Sequence, residues 1–183
     1  MTPYLLLVFL HVLGAVGLFM AWGVEGVALA QLARATTPND ARDAIALRRR
    51  IAPGGMVAML TAVITGIWMM IVRWGHQPWE AGAMALLVAI IAVGIGFNGR
   101  AKPQLAAAMK AEDIAPARLR LTSAALTLSM RLRVTLGIGI IALMVLKPDV
   151  AGALAIGASA GAGCLTLAAV ATRRGRKLAG ARA

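Results

Sequence analysis

The sequence predicts an all-α fold: a polytopic membrane helix bundle of five transmembrane helices, amino terminus outside and carboxy terminus cytoplasmic. Three observations carry this expectation. Of the 183 residues, 60% are hydrophobic, and the mean hydropathy of +0.81 implies more apolar surface than a soluble core of this size hides. The apolar residues fall into long runs, measured against the roughly 20 helical residues that cross a hydrocarbon core of about 30 Å. Lysine and arginine gather in alternate connections, the distribution expected when cations stay on the cytoplasmic side.

Taken in order, the spans cover about 4–32, 53–72, 81–97, 120–146 and 150–172, within a single transmembrane domain over 1–183. The first begins at "MTPYLLLVFLHVLGA". It lacks the basic leading region of a cleaved signal and reads as an uncleaved span. The second starts near Pro53, a favoured first-turn residue, and runs through "MVAMLTAVITGIWMMIV". The third is continuously apolar from Ala81 to Phe97. The fourth has only Val134 to Leu146 between Arg133 and Lys147, so it must begin further back, which places Arg131 and Arg133 at or inside the membrane edge. The fifth is rich in Gly, Ala and Ser.

Orientation follows from the connections. Arg34, Arg42, Arg48, Arg49 and Arg50 follow the first span; Arg100, Lys102, Lys110, Arg118 and Arg120 follow the third; Arg173, Arg174, Arg176, Lys177 and Arg182 follow the fifth. The alternate loops hold only Arg73 and Lys147. Tyr4, Trp68, Trp74 and Trp79 all fall at the expected outer ends, as an aromatic belt does. The segments around Thr37 to Asp40 and around "AKPQLAAAMKAEDIAPAR" read as connections with short interfacial helix rather than as domains.

The net charge of +12 does not point to nucleic acid, because the basic residues lie in short runs between apolar stretches and not on one folded face. The lone Cys164 forms no intrachain disulfide and reads as a small packing residue. "GIGFNG", Gly94 to Gly99, has the glycine spacing of a dinucleotide-binding turn but lacks its preceding strand, so it reads as close helix approach. The same reading applies to Gly14 and Gly17 in the first span and to Gly157 and Gly161 in the fifth. No catalytic triad, phosphate-binding loop or zinc-spaced ligand set is present, so no catalytic residues are expected.

His11, Gly14, Leu18, Trp22 and Glu25 follow one another at three- and four-residue steps and line one face of the first helix. Titratable groups facing lipid are costly, so this face is expected to point inward. Leu18 divides the stripe into two halves. The binding or proton-linked candidates are His11, Glu25, Arg131 and Arg133, with an ion pair expected between Glu25 and Arg131 or Arg133, which stand at about the same depth. The weak metal candidates are His11, Met69, Met70, Met84 and Met144, since thioethers and imidazole suit Cu(I); methionine also fills packing gaps. His76, in the short outer loop "RWGHQPWE", reads as solvated or interfacial. No cofactor is expected.

"LHVLGAVGLFMAWGVEG", "APGGMVAMLTAVITGIWM" and "SMRLRVTLGIGIIALMVLKPD" resemble segments of a widespread set of small prokaryotic integral membrane proteins, distantly similar to the CopD-like copper-resistance membrane superfamily. The resemblance runs from residue 4 to about 150. It implies an all-helical bundle in a prokaryotic inner membrane and marks His11, Glu25, Arg131, Arg133, Lys147 and Pro148 as the matching positions.

The expected function is that of a small transport, channel-like or accessory membrane subunit with a polar face inside the bundle. Five helices enclose no wide pore, so transport calls for a homo-oligomer. Two alternatives stand beside it: a membrane copper or redox protein using His11 and methionines, and a purely structural partner of a membrane complex. The expected partners are the lipid bilayer, a second copy or another membrane protein, and no nucleic acid.

Overall fold

The computed structural model describes residues 3–75, 77–110 and 116–180; for 74, 108–109, 116–121 and 172–180 only the backbone is described. His76 and Arg182, with the side chains of Trp74, Arg118, Arg120, Arg173, Arg174, Arg176 and Lys177, therefore lie outside the described residues. Every described element is helical: α1 (Pro3–Arg34), α2 (Pro38–Met69) ending in a π-helical turn (Met70–Trp74), α3 (Pro78–Lys110), α4 (Pro116–Leu146) and α5 (Val150–Gly180). All five are long and apolar enough to cross a membrane.

The helices outrun the apolar spans, and the reason is local chemistry. α2 does not start at Pro53 but fifteen residues earlier, because Thr37 and Asp40 form a reciprocal cap: the Asp40 amide donates to Thr37 Oγ1 at 3.2 Å and the Thr37 amide donates to Asp40 Oδ2 at 3.0 Å. Pro38 occupies the first turn, where its missing N–H costs nothing. Pro53 is left inside the helix, as Pro103 is inside α3. The expected interfacial pieces before Pro53 and after Phe97 are thus continuations of spanning helices. At the other end of α2, the amide of Gly75 donates to the carbonyl of Met70 at 3.0 Å, a five-residue bond that closes the π turn. Gly75 takes φ 71°, which ends the helix. Lys147, also at positive φ, closes α4, and Asp149 Oδ1 accepts the Gly152 amide at 2.9 Å to start α5.

The chain divides into two compact units. The first comprises Met1–Gln77 with Pro103–Ser123. Within it α1 and α2 form an antiparallel pair whose register can be followed contact by contact. The guanidinium of Arg73 lies 5.4 Å from the Tyr4 ring centre at one end. His11 meets Ala62, Gly14 meets Ala58 and Ala62, Gly55 meets Ala21, and Glu25 meets Arg48 at the other end. In the 103–123 part, Thr122 Oγ1 donates to Gln104 Oε1 at 2.5 Å.

The second unit comprises Pro78–Lys102 and Ala124–Ala183. Here α4 runs antiparallel to both α3 and α5. A methyl placed on Gly139 of α4 would meet Leu86 Cδ1 at 2.9 Å and Ala160 Cβ at 3.2 Å, so both neighbours close on the same point. Further along, Gly82 faces Leu143 and Gly163 faces Thr135. Lys147 Nζ lies 5.9 Å from the ring centre of Trp79, which is buried and so does not serve the outward belt expected of it.

Candidate functional site

The sequence places a polar stripe on α1, and the structure turns that face inward. Trp22, Glu25, Leu29 and Leu32 are buried, Gly14 is buried, and His11 and Leu18 are half-buried. Opposite this face α2 supplies Thr65, also buried, and the small residues Ala58, Ala62 and Gly66.

His11 Nδ1 lies 2.8 Å from the carbonyl oxygen of Ala62. A carbonyl only accepts, so Nδ1 carries the proton and a neutral ring keeps its lone pair on Nε2. The Thr65 hydroxyl lies 3.4 Å from the same nitrogen and donates to Thr61 O at 2.6 Å. Gly66 makes room for the ring: a Cβ there would stand 3.0 Å from His11 Cε1. Thr65 and Gly66 are the site residues that reading the α1 stripe alone misses, since nothing local marks them as facing a histidine more than fifty residues away.

Glu25 engages a partner that the sequence reading did not name. Arg48 approaches its Oε1 with Nη2 at 3.0 Å and donates from Nε at 3.1 Å, with side-chain exposures of 23% for the arginine and 10% for the glutamate. Both nitrogens converge on one carboxylate oxygen, and such charge-assisted bonds are stronger than neutral ones. Arg48 comes within reach because α2 continues as helix through the arginine run. Glu25 stands about 31 Å along α1 from Tyr4, at 1.5 Å per residue. That matches the thickness of a hydrocarbon core, so the Tyr4–Arg73 and Glu25–Arg48 contacts bracket the apolar length of the pair.

Between the brackets the two helices pack closely. The backbones touch at Gly14, where an added Cβ would lie 2.7 Å from Ala62 N and 2.9 Å from Ala58 O. Below this point Phe19 and Trp22 pack edge to face, with ring centres 5.1 Å apart. The stripe therefore holds two polar contacts, one at His11 and one at Glu25.

In the second unit the two arginines of α4 part company. Arg131 is exposed and Arg133 is buried, with Arg133 Cδ lying 3.8 Å from where a Cβ on Gly94 would stand. Arg133 is about 21 Å along α4 from Lys147. One turn before it, Ser129 is fully buried. Its hydroxyl makes no hydrogen bond among the described residues, whereas Thr135 and Ser159 bond back to the carbonyl four residues earlier. Cys164 Sγ lies 3.9 Å from the Leu132 carbonyl in the α4–α5 packing.

The metal candidates are divided. His11, buried Met69 and half-buried Met70 belong to the first unit, and half-buried Met84 and Met144 to the second. No group of three or more His, Cys, Asp or Glu is placed to hold a metal ion among the described residues. Of the glycines expected to admit close neighbours, Gly14, Gly17 and Gly94 have them; Gly96, Gly99, Gly157 and Gly161 have no other group within 4 Å of a built Cβ. The four-residue glycine pair of α5 thus meets no neighbour among the described residues.

The class that these features define is an all-helical chain with five helices of membrane-spanning length and apolarity. Comparison with protein-family models, curated proteins and solved structures gave no match to this chain.

Proposed function

We propose that the chain is a small, non-catalytic transport, channel-like or accessory subunit of a prokaryotic inner membrane, crossing it five times with its amino terminus outside and its carboxy terminus in the cytoplasm. The observation that carries the functional part is Arg133: a cation only 8% exposed, on a helix of membrane-spanning length and apolarity. An arginine inside a span is costly to insert, and such residues are retained where charge is used. The close α1–α2 contacts support a division of labour in which His11 and Glu25 fix that pair, while an anion- or proton-sensitive element lies along α4. The distant CopD-like resemblance of the three quoted segments fits the helical membrane class.

The test is flux into proteoliposomes, with pH and halide indicators, for the parent protein and for Arg133→Gln, His11→Ala and Glu25→Gln. The expected result is anion or proton flux reduced at least tenfold in Arg133→Gln. Equal flux in the parent and Arg133→Gln would refute the role given to Arg133. A colourless, metal-free preparation by absorption spectroscopy and metal analysis would remove the alternative copper or redox reading, in which His11 acts with methionines among Met69, Met70, Met84 and Met144.

A further inference from the structure

The arginines at the Glu25 end of the α1–α2 pair are not equivalent. Arg48 is held by Glu25, and Arg42 Nη1 donates to Asn39 Oδ1 at 3.4 Å. Arg49 and Arg50 are exposed and make no hydrogen bond or ion pair among the described residues. Because Arg48 is fixed on Glu25, the rotation of α2 is set at this level, and its two successors are presented outward.

Their height is set as well. From Ile51 to Met69 α2 rises about 27 Å, close to a hydrocarbon thickness, so Arg49 and Arg50 stand at the level of lipid phosphates. The chain directly beyond them is bare. Gly54, one turn from Arg50, is exposed and has nothing within 4 Å of a built Cβ. Pro53, one turn from Arg49, has no N–H to give the Arg49 carbonyl, which leaves that oxygen without its usual helical donor. From Gly54 the same face continues through Val57, Ile64 and Trp68, which are 64%, 60% and 57% exposed. Two unengaged guanidinium groups, an under-used carbonyl and an apolar track of acyl-chain length thus lie in line.

We propose that Arg49 and Arg50 form a headgroup site for an anionic phospholipid whose acyl chain runs along Gly54, Val57, Ile64 and Trp68. The phosphodiester accepts from the guanidinium groups, and a hydroxylated headgroup such as glycerol donates to the Arg49 carbonyl. Charge complementarity selects an anionic lipid, and the continuous apolar track selects a lipid over a free anion.

The experiment is native mass spectrometry, with thermal unfolding in parallel, on the full chain in detergent. It is titrated with phosphatidylglycerol, phosphatidylcholine or inorganic phosphate. Phosphatidylglycerol is expected to bind in preference to phosphatidylcholine and to raise the unfolding temperature, with phosphate doing neither. Arg49→Gln/Arg50→Gln should weaken phosphatidylglycerol binding about twenty-five-fold, taking about fivefold for each surface cation. The exposed control pair Arg100→Gln/Lys102→Gln should leave it unchanged. Single variants, each about fivefold weaker, answer the question should the double variant fail to fold. Equal binding of the two lipids, an equal loss in the control pair, or stabilisation by phosphate alone would each overturn the proposal.

Discussion

Replacing Gly14 by alanine adds one methyl group at the point where α1 and α2 touch backbone to backbone. That carbon would stand 2.7 Å from Ala62 N, against the 3.4 Å at which ordinary contact begins, so the helices must part by about 0.7 Å. No flexible side chain is there to yield. Separation loosens the His11 bond to the Ala62 carbonyl directly, and it strains the Glu25–Arg48 pair lower on the same seam. Overpacking of this kind costs about 1–3 kcal/mol. Alanine also gains about 1 kcal/mol over glycine in helix propensity, which masks part of the loss. Gly161→Ala removes the ambiguity, because it receives the same propensity gain in open space. The difference between the two variants isolates the packing term and is expected to be about 1–3 kcal/mol. Reversible unfolding in mixed micelles, followed by circular dichroism, measures it. Equal stability of Gly14→Ala and Gly161→Ala would show that the backbone contact is not where the structure places it.

Three further outcomes follow from particular contacts. A double-mutant cycle of Glu25→Gln and Arg48→Gln should show coupling of about 1–2 kcal/mol in detergent stability, and simple additivity would mean the pair contributes nothing jointly. His11→Ala should lose about 1 kcal/mol through the lost inter-helix bond from Nδ1 to the Ala62 carbonyl, with His11→Asn recovering part of it by restoring a donor; equal losses in both variants would remove the hydrogen bond from the account. Lys147 has φ 45°, so Lys147→Val should cost about 1–2 kcal/mol while Lys147→Gly is tolerated, and the reverse order of melting temperatures would contradict the turn geometry.

Much of the architecture was legible in the residues. Apolar length marked all five helices, and the three- and four-residue spacing from His11 to Glu25 marked the face of α1 that is turned inward. The helix ends were less so: Thr37 and Asp40 carried a capping signature, yet Pro53 drew the expected start of α2 toward itself because proline favours a first turn and also survives inside a long helix. Glycine spacing was a poor guide to packing. Gly157 and Gly161 match a known association motif and stand in open space, whereas Gly14 and Gly17, three apart, meet α2 closely.

What the sequence by itself determined is therefore the class and the inward face of α1, since both follow from hydropathy and period along a single segment. Only the tertiary structure decided that Glu25 meets Arg48, that Thr65 and Gly66 receive His11, and that Arg133 is buried while Arg131 is exposed. Each of these depends on the register and rotation of one helix against another. A shift of one residue turns a helix by about 100°, so that register is a property of the packed pair and is written in neither helix alone.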